Sequence, residues 1–137
     1  MSKQVILYVD DELLVLNSLE IELRKALGNE YFYEFAEGAE EALEIIDEVS
    51  EDGNKVILIL SDWLMPEMKG DEFFKVVHQN HPEIVKIMLT GQANEEAISD
   101  ARKQVNLYAC LRKPWDGNEL ITVIKSGIGE ENCNLPY

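Results

Sequence analysis

Val56-Ile57-Leu58-Ile59-Leu60-Ser61-Asp62-Trp63-Leu64-Met65-Pro66-Glu67-Met68-Lys69-Gly70 is the stretch on which the fold turns. Its first five residues are apolar, too short a run for a buried helix, and predict a strand covered on both faces. Polarity changes abruptly at Ser61-Asp62, and a loop comes next that carries Pro66 and Gly70. An aspartate at the carboxyl end of a buried strand stands where open α/β sheets place their ligands. Taken alone, Asp62 equally well stops the strand or caps the next element. The other strand ends decide between these readings.

The same strand-to-acid transition occurs near the amino terminus, where Gln4 to Val9 runs into Asp10-Asp11-Glu12. Leu16, Leu19, Leu23, Ala26 and Leu27 then recur at helical spacing, and Gly28-Asn29 stops that helix. Aromatic residues 31–35 predict a second strand. Residues 38–49 predict a helix with Ala39, Ala42, Leu43, Ile46 and Val49 inward, and Glu51-Asp52-Gly53-Asn54 turns the chain. Past the opening stretch, a helix is expected from Asp71 to about Gln79, with Phe73, Phe74, Val76 and Val77 as its apolar surface and Pro82 as its breaker. Residues 84–89 predict a fourth strand that ends on Thr90-Gly91. Asn94 suits the N-cap of a helix through Lys103, with Ala97, Ile98 and Ala101 inward. Residues 106–111 predict a fifth strand, ending on Arg112-Lys113-Pro114, and Asp116 caps a last helix through about Ser126, with Leu120, Val123 and Ile124 inward. Strand and helix alternate five times over short connections, which implies an α/β fold with a doubly wound parallel sheet and right-handed crossovers. One domain is expected over residues 1–126, with 127–137 as a tail or the start of a linker.

Bulk properties narrow the partners. The 137 residues suit one core, and a net charge of −15, from 27 acidic against 12 basic side chains, repels phosphate backbones and anionic membrane surfaces. Direct nucleic-acid and membrane binding are therefore not expected. No apolar run approaches the ~20 residues of a membrane span, and the amino terminus reaches acids too soon for a secretory signal, so a cytoplasmic protein is expected. Cys110 and Cys133 lack metal-binding spacing and read as free thiols.

In a parallel sheet all carboxyl ends share one edge, so Asp10, Asp11, Asp62, Thr90 and Lys113 are expected together there. Each has an ordinary reading: Asp10-Asp11 as a helix cap, Lys113 as a solvated lysine, Thr90 as a strand-end residue. Three converging carboxylates repel unless a cation neutralises them. Oxygen donors without histidine or cysteine point to Mg²⁺. With a fixed lysine charge and a threonine hydroxyl, the set suits a phosphoryl group transferred to a carboxylate.

With these pieces in order, the chain resembles the receiver domains of two-component response regulators. The likeness rests on VDDE at Val9 to Glu12, SDWLMPEMKG at Ser61 to Gly70, LTG at Leu89 to Gly91 and KPW at Lys113 to Trp115, and it extends from Gln4 to about Ser126. The resemblance implies a flavodoxin-like fold with strand order 2-1-3-4-5. It implies Asp62 as phosphoacceptor, Asp11 as a direct Mg²⁺ ligand, and Asp10 holding a metal-bound water or sharing the coordination. Asp62 and the Leu64 carbonyl complete that set, Lys113 and Thr90 contact the phosphoryl oxygens, and the Lys113–Pro114 bond is cis. Leu64 and Gln92 would tune the lifetime of the phosphoryl group. Where receivers usually carry an aromatic switch residue, three positions before the lysine, this chain has Cys110. Tyr108 lies two residues earlier, on the same strand face if alternation holds.

The implied function is a switch phosphorylated by a sensor histidine kinase or phosphotransfer protein, with no small-molecule turnover as its purpose. Its output face would be helix 94–103 with strand 106–111, serving a partner or a homodimer. The alternative is a Mg²⁺-dependent phosphohydrolase with an aspartyl nucleophile, although Trp63-Leu64-Met65 after Asp62 supplies no second acid. A receiver that only binds would lack a site residue, and none is missing. His78 and His81 read as surface histidines at a helix end. Tyr31, Phe32, Tyr33 and Phe35 read as packing, since no basic residue interleaves them. Trp63 and Trp115 either flank the pocket or pack against the domain.

Overall fold

The computed structural model describes residues 3–63, 65, 68–91, 95–113 and 116–129, without the side chains of residues 97 and 101. Ten elements alternate without exception: β1 (Gln4–Val9), α1 (Leu13–Leu27), β2 (Phe32–Ala36), α2 (Ala39–Glu51), β3 (Lys55–Asp62), α3 (Gly70–Asn80), β4 (Val85–Thr90), α4 (Glu95–Val105), β5 (Ala109–Arg112) and α5 (Gly117–Ile128). The strands form one parallel sheet in the order β2-β1-β3-β4-β5. The expected flavodoxin-like α/β fold is therefore the observed one.

Side-chain alternation along the strands divides the core into two layers. Val5, Leu7 and Val9 of β1 face one way, where Ala42 and Ile46 of α2, Phe73, Phe74 and Val77 of α3 and Val105 of α4 cover them. Ile6 and Tyr8 face the other way, under Leu16, Leu19, Leu23 and Leu27 of α1 and Leu120 and Ile124 of α5. Burial on both faces is why β3 reads as an unbroken apolar run.

Boundaries differ from expectation where local chemistry intervenes. β3 continues through Ser61 to Asp62, so the phosphoacceptor candidate is itself the last strand residue. α5 runs past Ser126 to Ile128 and closes on Gly129 in the left-handed region, which places Gly127 and Ile128 within the domain rather than in a tail. β5 begins at Ala109, not Asn106, because Asn106 adopts φ +56, a left-handed conformation that asparagine tolerates and an extended strand forbids. That shortening corrects the reading of Tyr108 and Cys110 as facing the same way. Tyr108 lies before the regular strand and its hydroxyl pairs with Ser126 on α5, whereas Cys110 packs in the layer covered by α2, α3 and α4. Lys86 on β4 is only 1% exposed, and its ammonium donates to the Ile84 carbonyl at 3.0 Å while burial lowers its pKa.

The junction of β3 and α3 depends on a missing side chain. The Gly70 amide donates to the Trp63 carbonyl at 2.7 Å. A Cβ at Gly70 would lie 2.5 Å from the Asp62 carbonyl oxygen, 2.9 Å from the Met88 sulfur and 3.1 Å from the Trp63 Cα. Two of those atoms are backbone and cannot yield cheaply. Gly70→Ala is therefore expected to destabilise the fold by about 2–3 kcal/mol, at the upper end of overpacking losses. Urea denaturation checks this, and an unchanged midpoint would remove the close approach as a constraint.

Candidate functional site

Strand register assembles the site. Val9 of β1 pairs with Ser61 of β3, so Asp10 comes directly beside Asp62. Asp62 pairs with Leu89 of β4, which sets Thr90 one residue beyond. Thr90 pairs with Arg112 of β5, which brings in Lys113, whose amide donates to the Thr90 carbonyl at 2.8 Å. The residues singled out in the sequence from four strand ends thus meet at one edge.

Asp10 is buried and has work for both oxygens. Oδ1 accepts the Glu12 amide at 2.9 Å, and Oδ2 accepts the Lys113 ammonium at 2.8 Å. The helix-cap reading holds only to this extent: Asp10 supports the turn into α1, whose N-cap residue is Glu12 with no side-chain cap bond. The same Lys113 nitrogen stands 3.5 Å from Asp62 Oδ1. Asp62 is 9% exposed, while Asp11 is exposed and Thr90 buried. Burial first, then the charge of Asp10, lifts the Asp62 pKa over the opposing pull of Lys113. Burial alone would lower the Lys113 pKa, but its hydrogen bond and charge contact with Asp10, with Asp62 behind, outweigh burial and raise it. The solvated-surface reading of Lys113 therefore fails.

Asp10, Asp11 and Asp62 each offer a carboxylate oxygen, all within 4.8 Å of one another. Three carboxylates against one ammonium leave two negative charges uncompensated at the edge. This donor set fits a hard divalent cation that takes oxygen ligands and retains waters.

Other expectations resolve unevenly. Trp63 is buried with Met65 against the α3 layer, so it packs rather than flanking an open mouth. Ser61, not assigned a role in the sequence, donates to the Asp62 carbonyl at 3.0 Å and lies 3.9 Å from the Met65 sulfur, holding the start of the loop after β3. The only sequence signal for it is a hydroxyl directly before the aspartate. His78 and His81 lie at the carboxyl end of α3, away from the strand carboxyl edge, and His81 Nδ1 stands 3.9 Å from Glu83. The aromatic strand β2 does receive cations, from elsewhere in the chain: Lys3 lies 4.5 Å from the Phe32 ring centre and Arg24 5.0 Å from that of Tyr33. Cys110 is a free thiol whose pKa is raised by burial. Leu64, Gln92, Asn94, the Lys113–Pro114 bond, Trp115 and Cys133, and the inward placement of the Ala97 and Ala101 side chains, lie outside the described residues.

A carboxyl group whose pKa is raised on folding adds stability below its ordinary pKa, and that contribution is lost as pH rises through the elevated folded value. Without divalent cations, Asp62→Asn is expected to match the parent in Tm near pH 3.5 and to exceed it increasingly toward pH 7, by about 3–5 °C. Thermal unfolding across that pH range checks the sign. A neutral-pH Tm below that of the parent would contradict the burial of a strained charge.

Residues 6–125 match the response regulator receiver domain family. The hydrogenase transcriptional regulatory protein HoxA of Cupriavidus necator is 30% identical over 123 residues, which cover 90% of this chain and 24% of HoxA. The sensor kinase CckA of Brucella abortus is 32% identical over 100 residues, covering 73% of this chain and 10% of CckA. The CheY-like response regulator receiver domain protein of Methanospirillum hungatei superposes with a TM-score of 0.80 at 30% identity, covering 98% of this chain and 100% of that one. The chain spans about a quarter of the length of HoxA and less of CckA. A match that runs from the first strand into the last helix concerns the whole fold rather than an isolated motif, and by it the chain belongs to the receiver domains of two-component response regulators.

Proposed function

We propose that Asp62 is the phosphoacceptor of this receiver and that the domain acts as a phosphorylation-controlled switch. The observation that carries the reading is the convergence of Asp62 with the Asp10–Lys113 ion pair at the strand edge. A carboxylate oxygen of Asp62 attacks the phosphorus of a phosphohistidine, the P–N bond breaks, and the imidazole leaves with its electron pair. Lys113 and Thr90 bind the transferred phosphoryl oxygens. Asp11 and Asp62, with Asp10 directly or through water, would hold Mg²⁺ together with the Leu64 carbonyl. Bound there, the ion supplies the positive charge that lets an anionic phosphoryl group approach an anionic carboxylate. Leu64 and Gln92 keep their assignment as tuners of phosphoryl lifetime.

The donor fits a protein, a sensor histidine kinase or phosphotransfer protein, rather than a small ester. Leu13 and Leu14 open α1 just after Asp10-Asp11-Glu12, and Leu14 is 81% exposed, an apolar footing close in sequence to the carboxyl edge. No observation favours the phosphohydrolase alternative. The output face is α4 with β5, where Glu95, Ile98, Ser99, Arg102, Cys110 and Arg112 line a groove of about 370 Å³. Acidic Glu95 and Glu96 open α4 and basic Arg102 and Lys103 close it, a charge gradient that also suits antiparallel pairing with a second copy. No helix among the described residues is long and apolar enough to cross a membrane, and the cytoplasm is the compartment in which this partner set would act.

Incubation with acetyl phosphate and Mg²⁺ tests the reading. The expected result is one alkali-labile phosphoryl group per chain, absent with chelator and absent in Asp62→Asn, with Mg²⁺ quenching Trp63 fluorescence in the parent. Continuous turnover of phosphate esters without an adduct, or an adduct that survives Asp62→Asn, would overturn it.

A further inference from the structure

We infer that Tyr108 and Ser126 form a latch that fixes the carboxyl end of α5 to the residue just before the edge strand and passes the state of the phosphorylation site to the last turn of α5. The inference rests on the reading of Asp62 as phosphoacceptor. The Tyr108 and Ser126 hydroxyls are hydrogen-bonded to each other, although Tyr108 is 44% exposed and free by position to point into solvent. Beside that bond, α5 approaches the sheet through Gly127, where a Cβ would lie 3.1 Å from Val85, 3.4 Å from Leu58 and 3.5 Å from the Tyr108 ring. The ring therefore flanks the turn of α5 in which Gly127 lets the backbone come close to Leu58 of β3 and Val85 of β4. Ser126 also serves the helix end, because its carbonyl accepts the amide of Gly129, the left-handed cap. One residue thus joins the latch to the last turn of the last helix.

The other end of the connection lies in the site. β5 is four residues long and pairs only with β4, so few bonds hold it. Just before it, the Tyr108 amide donates to the Lys86 carbonyl at 2.8 Å; just after it, the Lys113 amide donates to the Thr90 carbonyl at 2.8 Å. Lys113 side-chain contacts run to Asp10 and Asp62. A phosphoryl group on Asp62 draws Lys113 and Thr90 to new oxygen partners, and a short edge strand fastened at both ends carries that displacement to Tyr108. Tyr108 then bears on Ser126 and Gly127. Signal leaves through the end of α5 as well as through the α4 face.

Hydrogen exchange of the full chain, free and with beryllium fluoride and Mg²⁺, tests the latch in the parent, Tyr108→Phe, Ser126→Ala and the double variant. Tyr108→Phe keeps the ring and loses only the hydroxyl. In the free form, each single variant is expected to speed exchange of the last-turn amides of α5 about fivefold, the loss of one hydrogen bond. The double variant should add nothing further, since both remove the same bond. Beryllium fluoride should change exchange over residues 125–129 in the parent and leave it unchanged in Tyr108→Phe, with its affinity for the site altered less than about twofold. Additive single variants, or a parent-like response in Tyr108→Phe, would overturn the latch. Failure of beryllium fluoride to bind the parent would instead overturn the phosphoacceptor reading and with it the coupling, while the free-form comparison still decides whether the latch exists.

Discussion

Asp10 cannot be buried at the end of β1 without a cation, and the need to supply one organises the whole carboxyl edge. An uncompensated carboxylate in a low-dielectric edge is strongly destabilising, whereas a hydrogen-bonded pair is tolerated. Lys113 meets that need from the far side of the sheet. Its ammonium can reach Asp10 only because parallel strands bring all carboxyl ends to one edge and because the backbone after β5 is tied to Thr90. Asp62 enters as a third participant at 3.5 Å, close enough to feel both charges and open enough to be reached from solvent. Structural stability and chemical readiness are therefore set by the same ion pair. The carboxylates of Asp10, Asp11 and Asp62 outnumber the one ammonium at this edge, a balance that suits a divalent cation.

The α3 side imposes the complementary constraint. Gly70 brings the helix amino end against the Asp62 carbonyl, and Ser61 holds the loop start from within the strand. Asp62 is thereby fixed from its backbone while its side chain keeps some exposure beside Lys113.

The strands, the parallel arrangement and the edge residues were legible because two strong signals agreed. Apolar runs of strand length ended on Asp10, Asp62, Thr90 and Lys113, and parallel order turned those ends into neighbours. What escaped depends on single conformations or distant residues. The alternation that would have set Tyr108 on the face of Cys110 does not extend back past Ala109, where β5 begins, and Asn106 at φ +56, a conformation that asparagine favours, keeps the chain before it out of the strand. The cations on the β2 aromatics come from Lys3 and Arg24, remote in sequence, so a local search for interleaved basic residues missed them. Lys86 differs: its partner, the Ile84 carbonyl, is only two residues away, but a lysine in an apolar strand gives no local sign that its ammonium turns back onto its own strand.

Long-range charge bears on which donor can reach Asp62. A chain of net charge −15 disfavours the approach of a small anionic phosphate donor, and at physiological salt that repulsion is screened over about 8 Å. A protein donor is less affected, because contacts outside the pocket offset the repulsion and hold the phosphohistidine in place. Leu13 and Leu14 offer such contacts next to the aspartates, where burial of exposed apolar surface contributes roughly 25 cal/mol per Å². The acidic surface thus acts as a filter. On the proposed reading it would slow, without preventing, phosphorylation by small anions that carry no recognition surface, and it would leave phosphorylation by a docking protein governed by the fit of that protein to α1.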